Sequence, residues 1–255
     1  MWKHKHVLMV LLIFFGITIQ GQADRLQQLL DQANAYYNEA IYDSALITYH
    51  QVLDEGVEST SLYYNIGNTY FKLRDFPSSI LYYEKARKLS PSDPDVLFNL
   101  DVANSMIVDK VEPLPRMFYR IWWERFYGMF DSDTWAWISL AVFVLTLAMV
   151  LLYLLANSIV MRKVGFYSGL IFLFFTIATF GLASQKYYYT QQVSEAIIFT
   201  PTITVKSSPA ANSVDLFVLH EGTKVLLLED SGNWHKIKIA NGSIGWLPKE
   251  SLKGI

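Results

Sequence analysis

The chain has 255 residues, of which 52% are hydrophobic, and its 21 Lys and Arg against 23 Asp and Glu give a net charge of -2. This near-balance leaves no broad positive field for binding nucleic acid. The absence of cysteine excludes disulfides, thiolate metal sites, cysteine nucleophiles and a lipid-bearing cysteine. The five histidines lack metal-ligand spacing, and common catalytic and nucleotide-binding motifs are missing. We therefore expect no enzyme activity, no metal and no cofactor.

The first 23 residues have the organisation of a secretory signal peptide. Lys3 and Lys5 form a basic start, residues 7–19 are apolar, and the small residues Gly21 and Ala23 follow. The apolar stretch is short for a full membrane span of about 20 residues. We expect cleavage after Ala23, with an uncleaved membrane anchor as the alternative.

Residues 24–109 have a helical pattern that repeats after 34 residues. The matching pairs are Ala33 with Gly67, Tyr36 with Tyr70, Ala45 with Ser79, Tyr49 with Tyr83, and Val52 with Ala86. This period and residue order resemble the tetratricopeptide (TPR) repeat, in which small residues let paired helices approach and aromatic residues fill the space between them. The second repeat ends at Pro91, the first is degenerate, and residues 94–109 fit a single capping helix.

The resemblance implies an all-α TPR solenoid whose concave face binds a partner. The residues that it places on that face include Asn34, Tyr37, Tyr64, Asn65, Asn68 and Phe71. Asparagines are part of the family's carboxylate clamp, but its basic positions are here Leu30, Asp95 and Asn99, so capture of a peptide C-terminus is not expected. Tyr63, Tyr70 and Tyr83 occupy packing positions of the repeat.

Residues 110–134 form an aromatic linker. Its aromatic side chains recur on one face of a helix, with Arg116, Arg120 and Glu124 opposite. Tryptophan and tyrosine prefer the headgroup layer, which favours a helix in the membrane interface. The candidate interface residues are Arg120, Trp122, Trp123 and Arg125. Packing of this helix on the repeats is the alternative.

Residues 135–156 and 164–184 are uncharged apolar runs, each long enough to be a transmembrane helix, and they predict a membrane hairpin with a turn at 157–163. Arg162 and Lys163 favour a cytoplasmic turn. Arginines before the first run weaken that argument, so the orientation depends on the signal peptide. The prediction is a multi-pass protein of the bacterial inner (cytoplasmic) membrane, with its N- and C-terminal domains in the periplasm. Gly165 and Gly169 form a G-x-x-x-G motif suited to close helix packing.

Residues 190–255 alternate between short strands and turns, as in a small barrel. The sequences "TVKSSP", "LHEGTKV", "NWHKI" and "GWLP" resemble the bacterial SH3 family, which implies a small all-β SH3-like barrel. Strand parity places Ile237 and Ile239 on one face and Trp234 on the other. In SH3 domains the positions of Trp234, Trp246 and Pro248 line a ligand groove. The alternative is that both tryptophans close the barrel.

The order of these segments resembles BatE-type aerotolerance-operon proteins of Bacteroidota over nearly the whole chain. The resemblance implies partners among membrane proteins with von Willebrand A domains and a MoxR-type ATPase system. The first functional hypothesis is a non-catalytic membrane-anchored scaffold whose two modules bind partners on one side of the lipid bilayer, where joint binding raises effective concentration. The second is a cell-envelope sensor or anchor whose SH3-like domain binds peptidoglycan.

Overall fold

The structure is a computed structural model that describes residues 24–112, 114–115, 117–192 and 194–255. The expected signal peptide at 1–23 lies outside the described residues. The chain forms two compact units. The first contains the described residues up to 111 together with 195–239 and 243–255, and the second contains the described residues of 112–194 with 240–242.

The first unit begins with a helical array. Its helices are α1 (24–38), α2 (Tyr42–Asp54), α3 (Thr60–Lys72), α4 (Phe76–Leu89) and α5 (Pro94–Met106). Side-chain caps fix three of the helix starts, because Ser59, Asp75 and Asp93 each accept a hydrogen bond from a backbone N–H in the first turn. The expected repeat architecture is therefore present as two helix pairs followed by the single helix α5.

The 34-residue period is visible in the packing of the array. Ser79 is fully buried and donates a hydrogen bond from Oγ to the carbonyl oxygen of Gly67 at 2.9 Å. A methyl group on Gly67 would lie 2.6 Å from the ring of Tyr83, so only glycine permits this approach. Ala40 and Arg74, also 34 residues apart, both adopt a positive φ of about 60°. The 34-residue repeat thus determines both the sizes of the packed side chains and the backbone conformation of the turn inside each helix pair.

The remainder of the first unit is one antiparallel sheet of seven strands. They are β1 (Glu195–Ile198), β2 (Thr202–Lys206), β3 (Asp215–His220), β4 (Lys224–Ser231), β5 (Trp234–Lys238), β6 (Ile244–Pro248) and β7 (Leu252–Gly254). Their order is β3-β2-β6-β5-β4-β1-β7, and within the described residues the outer strands β3 and β7 do not pair. The expected barrel is therefore not closed. The expected alternation of short strands and turns is present, with turns at or between strand ends at 208–209, 221–222, 231–232 and 241–242.

Strand β1 is buried on both of its faces. Ala196 and Ile198 belong to the core of the sheet, together with Ile237, Ile239 and other apolar side chains. Ile197 points the other way and packs in a cluster with side chains of α4 and α5. The apolar run "AIIF" explains this position, because a strand covered on both faces lacks the usual alternation.

Through Ile197 the sheet covers the end of the array. In a solenoid each repeat buries its apolar face against the next one, and a terminal face must be covered by some other element. Here Ile80 and Leu81 of α4 and Ala103 of α5 pack in the same buried cluster as Ile197. The array and the sheet are thus one compact unit, whereas the sequence predicted two separate modules.

The second unit contains α6 (Phe118–Tyr127), α7 (Ser132–Leu155) and α8 (Ile159–Gln192). Two helices, Ser132–Leu155 and Ile159–Tyr188, are long and apolar enough to cross a membrane. Helix α8 begins at Ile159, so the connection after α7 is only three residues long, 156–158. The aromatic helix α6 contacts α8, and the two belong to the same compact unit.

Helices α7 and α8 pack closely along their length. Ser139 Oγ donates to the carbonyl oxygen of Thr176 at 3.3 Å, and the hydroxyls of Thr146 and Thr176 are 3.4 Å apart. A methyl group on Gly165 would lie 2.8 Å from the backbone nitrogen of Tyr153. Gly165, the first glycine of the G-x-x-x-G motif, therefore allows α7 and α8 of the hairpin to pack closely.

Candidate partner-binding sites

A cavity of about 290 Å³ lies on the helical array. Its lining residues are Tyr37, Tyr64, Asn68, Phe71, Lys72, Tyr83, Asn99 and Val102. Four of the six candidate residues on the concave face are among them. The remaining two, Asn34 and Asn65, lie outside this lining and bond to each other, with Asn65 Nδ2 donating to Asn34 Oδ1 at 3.3 Å. We call this cavity the array cleft.

Asn68 is held in the array cleft by hydrogen bonds to its amide oxygen. Oδ1 accepts from the Tyr83 hydroxyl at 2.6 Å and from Asn99 Nδ2 at 2.9 Å. Asn99 Nδ2 also donates to the Tyr64 hydroxyl at 2.8 Å. Because both bonds to Asn68 end on Oδ1, its Nδ2 group is left as a donor, and among the described residues no protein group accepts from it.

The same network occurs one repeat earlier. Asn34 Oδ1 accepts from the Tyr49 hydroxyl at 2.7 Å and from Asn65. Burial raises the pKa of Tyr49 to about 12 and raises the pKa of Tyr83 as well, so both hydroxyls stay protonated and donate at neutral pH. Asn34, Tyr49 and Asn65 correspond to Asn68, Tyr83 and Asn99 after 34 residues. The repeat that predicts the core therefore also generates the polar network.

Asn99, Lys72 and Val102 line the array cleft but were not among the sequence candidates. The period identifies Asn99, since it is the counterpart of the candidate Asn65. Lys72 at the end of α3 and Val102 on α5 depend on how the helices cross, and no sequence signal distinguishes them from other surface residues.

A second cavity, of about 370 Å³, shares Tyr64 with the array cleft. Asp93 and Asp95 line it, together with Thr60, Ser61 and Val96. Asp93 caps α5 through the backbone N–H groups of Asp95 and Val96. The cleft side of Tyr64 thus carries a lysine, whereas the other side carries carboxylates.

The three sequence candidates on the sheet share one face of β5 and β6. Trp234 is opposite Pro248, and Trp246 is opposite Lys236. Trp234 and Pro248 are half-buried, whereas Trp246 is only 9% exposed and has the Lys236 ammonium 5.6 Å from its ring centre. Ile237 lies in the core on the opposite face, as strand parity predicts. Trp234 and Pro248 are therefore more accessible to a ligand than Trp246.

Two polar clusters join the array to the sheet, and sequence reasoning had identified neither. In the first, Lys224 bonds to Glu84 Oε2 at 3.0 Å and to Glu195 Oε2 at 2.6 Å. Glu84 is 5% exposed and also accepts from Arg87 at 2.6 Å. Because a buried carboxylate requires partners, this cluster fixes α4 against β1 and β4.

The second cluster surrounds Asp109, which follows α5. Its carboxylate accepts from the backbone nitrogen of His220 at 2.7 Å, from His220 Nδ1 at 2.8 Å and from Thr223 Oγ1 at 2.7 Å. Burial alone would raise the pKa of Asp109, but the bonds from Thr223 and His220 hold it below its usual value. Asp109 thus ties the array to the turn between β3 and β4.

That turn also requires glycine at position 222. Gly222 has a φ of +85°, and a methyl group there would lie 2.4 Å from Cγ2 of Ile107. The glycine therefore allows both the left-handed turn and the close approach of the chain that follows α5.

The candidate interface residues are exposed on α6. Trp122 is 78% exposed, whereas Trp123 is 48% exposed and donates from Nε1 to Gln185 Oε1 at 3.1 Å. Arg120 and Arg125 are exposed as well. The structure thus places the four candidates on one short helix and separates the environments of the two tryptophans.

Fold and sites together define a helical-repeat protein with a C-terminal antiparallel sheet and two apolar helices. Residues 61–93 match the family model of the tetratricopeptide repeat. The match covers α3, α4 and the turn that leads into α5. No curated protein matches the chain.

Proposed function

We propose that the protein is a non-catalytic, membrane-anchored adaptor that binds partner proteins through the composite unit of array and sheet. The observation that supports it most directly is the array cleft, where a matched tetratricopeptide repeat presents a fixed amide donor among aromatic rings. Two carboxylates of low exposure, Glu84 and Asp109, have structural partners that hold array and sheet together. They therefore serve assembly of the unit rather than catalysis.

The ligand that fits the array cleft best is an extended peptide segment. Asn68 Nδ2 can donate to a backbone carbonyl, and the rings of Tyr64 and Phe71 offer apolar contact. Lys72 favours an acidic side chain on its side of Tyr64, whereas Asp95 favours a basic side chain on the other side. A segment with separated acidic and basic residues is therefore the preferred class.

A point substitution tests this site better than removal of the array. Deleting 24–109 would expose Ile197 and destroy the unit, so loss of a partner would be ambiguous. We expect Asn68→Asp, which keeps the Oδ1 acceptor for Tyr83 and Asn99 but removes the Nδ2 donor, to reduce the partners that co-purify from native membranes. Asn38→Asp on the exposed surface of the array should leave them unchanged. Equal recovery with both variants would contradict the role of the cleft.

Membrane anchoring is the second part of the proposal. It is supported by the two apolar helices and their short connection. In the proposed topology Arg162 and Lys163 lie on the cytoplasmic side, and array and sheet lie in the periplasm of a bacterial inner membrane. At Ser158, a fused reporter that works only in the cytoplasm should be active. Activity of a reporter that works only in the periplasm would show the opposite topology.

The BatE resemblance supplies the partners to test first. These are membrane proteins with von Willebrand A domains and a MoxR-type ATPase system. Mass spectrometry of the partners whose recovery depends on Asn68 would identify them directly. If they include no von Willebrand A protein and no MoxR-type ATPase, the protein does not act with that system.

Peptidoglycan binding by the SH3-like sheet is the second candidate function. The half-buried Trp234 beside Pro248 favours it, since an accessible aromatic face can pack on a sugar or an extended peptide. The full chain should then be retained by purified cell wall, and Trp234→Ala should abolish retention without unfolding the sheet. Retention that is unchanged in this variant would exclude this face as the binding site.

A further inference from the structure

One side of helix α6 contacts the other two helices of its unit. Trp123 Nε1 donates to Gln185 Oε1 in α8, and the ring of Phe126 lies 6.1 Å from that of Trp135 in α7. Trp135 Nε1 in turn donates to the carbonyl oxygen of Tyr127 at 3.0 Å. These contacts fix both the rotation of α6 about its axis and its position along the helix pair.

That position is the level at which both apolar helices become polar. Gln185 is the first strongly polar side chain after the apolar run 164–184 of α8, and Lys186 follows it. At the start of α7, Asp131 caps the helix by accepting from the backbone nitrogen of Thr134 at 2.8 Å. If α7 and α8 cross a membrane, α6 therefore lies at the boundary between acyl chains and headgroups.

A second side of α6 has a stripe of three apolar side chains that ends in an arginine. Phe118, Ile121, Trp122 and Arg125 have the spacing i, i+3, i+4 and i+7, so they lie along one side of the helix. Phe118 is 81% exposed and Trp122 is 78% exposed. Two large aromatic side chains with this exposure are unusual on a surface that faces only water. Arg120 lies on neither the stripe nor the side that contacts α7 and α8.

We infer that the stripe Phe118–Ile121–Trp122–Arg125 docks on the phospholipid surface, with its apolar residues at the acyl boundary and Arg125 on a lipid phosphate. This inference rests on the proposed membrane anchoring. Continuity with the apolar helices favours lipid over another protein, because the stripe lies at the level where lipid would surround α7 and α8. The positive charge of Arg125 within the stripe complements the negative phosphate layer. Trp123 instead contacts the helix pair, and Arg120 faces water.

The cysteine-free sequence permits a direct test with single labels. The full chain carrying Phe118→Cys, Trp122→Cys or Arg120→Cys is labelled with bimane and reconstituted in phosphatidylethanolamine–phosphatidylglycerol vesicles. Quenching by nitroxide-bearing lipid is then compared with quenching by aqueous iodide. The ratio of lipid to iodide quenching should be at least about threefold higher at 118 and 122 than at 120.

Val144→Cys in the middle of α7 separates failure of this inference from failure of membrane anchoring. If iodide quenches the label at 144, membrane anchoring is wrong. If 144 is protected but 118 and 122 are as open to iodide as 120, the lipid contact alone is overturned. In dilute vesicles, unlabelled chains carrying Phe118→Cys or Trp122→Cys are treated with copper phenanthroline as oxidant, and disulfide-linked dimers would overturn the lipid contact in favour of a second copy.

The role of Arg125 is tested in the Phe118→Cys chain. Arg125→Gln should reduce lipid quenching at position 118 by about twofold, because the charge that holds this side of α6 to phosphate is lost. Arg120→Gln is the matched control and should leave quenching unchanged. An equal effect of both substitutions would contradict a specific contact between Arg125 and phosphate.

Discussion

Asp109→Asn should weaken the array and the sheet together. The carboxylate accepts three hydrogen bonds of 2.7 to 2.8 Å and its side chain is only 14% exposed. Hydrogen bonds to a charged group contribute about 1.5–3 kcal/mol each, against about 1 kcal/mol between neutral groups. Asparagine keeps one acceptor oxygen, loses the charge and turns an NH₂ group toward a donor. The expected loss in free energy of unfolding is about 3 kcal/mol.

The assay is hydrogen exchange by mass spectrometry on the full chain in nanodiscs, at increasing urea concentration. It reports the free energy of opening separately for α4 and for β4. Both values should fall by a similar amount in Asp109→Asn, because Ile197 and Lys224 couple the sheet to α4. A double-mutant cycle with Thr223→Val should give a coupling of at least about 1 kcal/mol between the two side chains.

Asp215→Asn is the matched control for this substitution. Asp215 also pairs with a basic side chain, Lys206, but it is 66% exposed, and exposed ion pairs contribute only about 0–1 kcal/mol. Equal effects of the two substitutions would show that the buried Asp109 carboxylate contributes no more than an exposed ion pair. If Asp109→Asn weakens the sheet and leaves the protection of α4 unchanged, Asp109 does not couple the sheet to the array.

Gly222→Ala should lower the free energy of unfolding by more than about 2 kcal/mol, since it adds steric overlap to a positive φ, whereas Gly232→Ala at an open turn should cost only about 1 kcal/mol in the same urea titration. The stabilisation by Asp109 has a definite pH dependence because the pKa of this carboxyl is lowered on folding. It should be complete above the unfolded-state pKa of about 3.9 and disappear as the pH falls through the folded-state pKa, so the difference between wild type and Asp109→Asn should shrink below about pH 4. Gly165→Ala should lower the melting temperature of the helix pair in detergent, measured by circular dichroism, while Gly181→Ala, which has open space around it, should not.

The repeat architecture could be predicted because period and residue size are properties of the sequence. The buried pairs Ala45 with Ser79 and Tyr49 with Tyr83 lie one period apart, and all four side chains are at most 1% exposed. The same period also predicts one residue of the array cleft, because Asn99 lies 34 residues after the candidate Asn65. The sequence also indicates the turns of the sheet, because glycines occupy positions 222, 232 and 242, where φ is positive.

Contacts between segments far apart in sequence could not be predicted in this way. Lys224 reaches Glu84 across 140 positions, and Thr223 reaches Asp109 across 114. Each of these side chains resembles an ordinary surface residue in its local sequence. Only the fold determines that Glu84 is buried and therefore requires a cation.

The sequence by itself determined the helical repeats, two apolar helices, a strand-rich C-terminal segment and the aromatic character of α6. It could do so because local periodicity and composition decide which surfaces each element must bury. The tertiary structure alone decided that β1 covers the end of the array, that the sheet is open, and that Trp122 and Trp123 have different environments. These features depend on which buried surfaces meet, and that choice is made by packing among distant segments rather than by any local pattern.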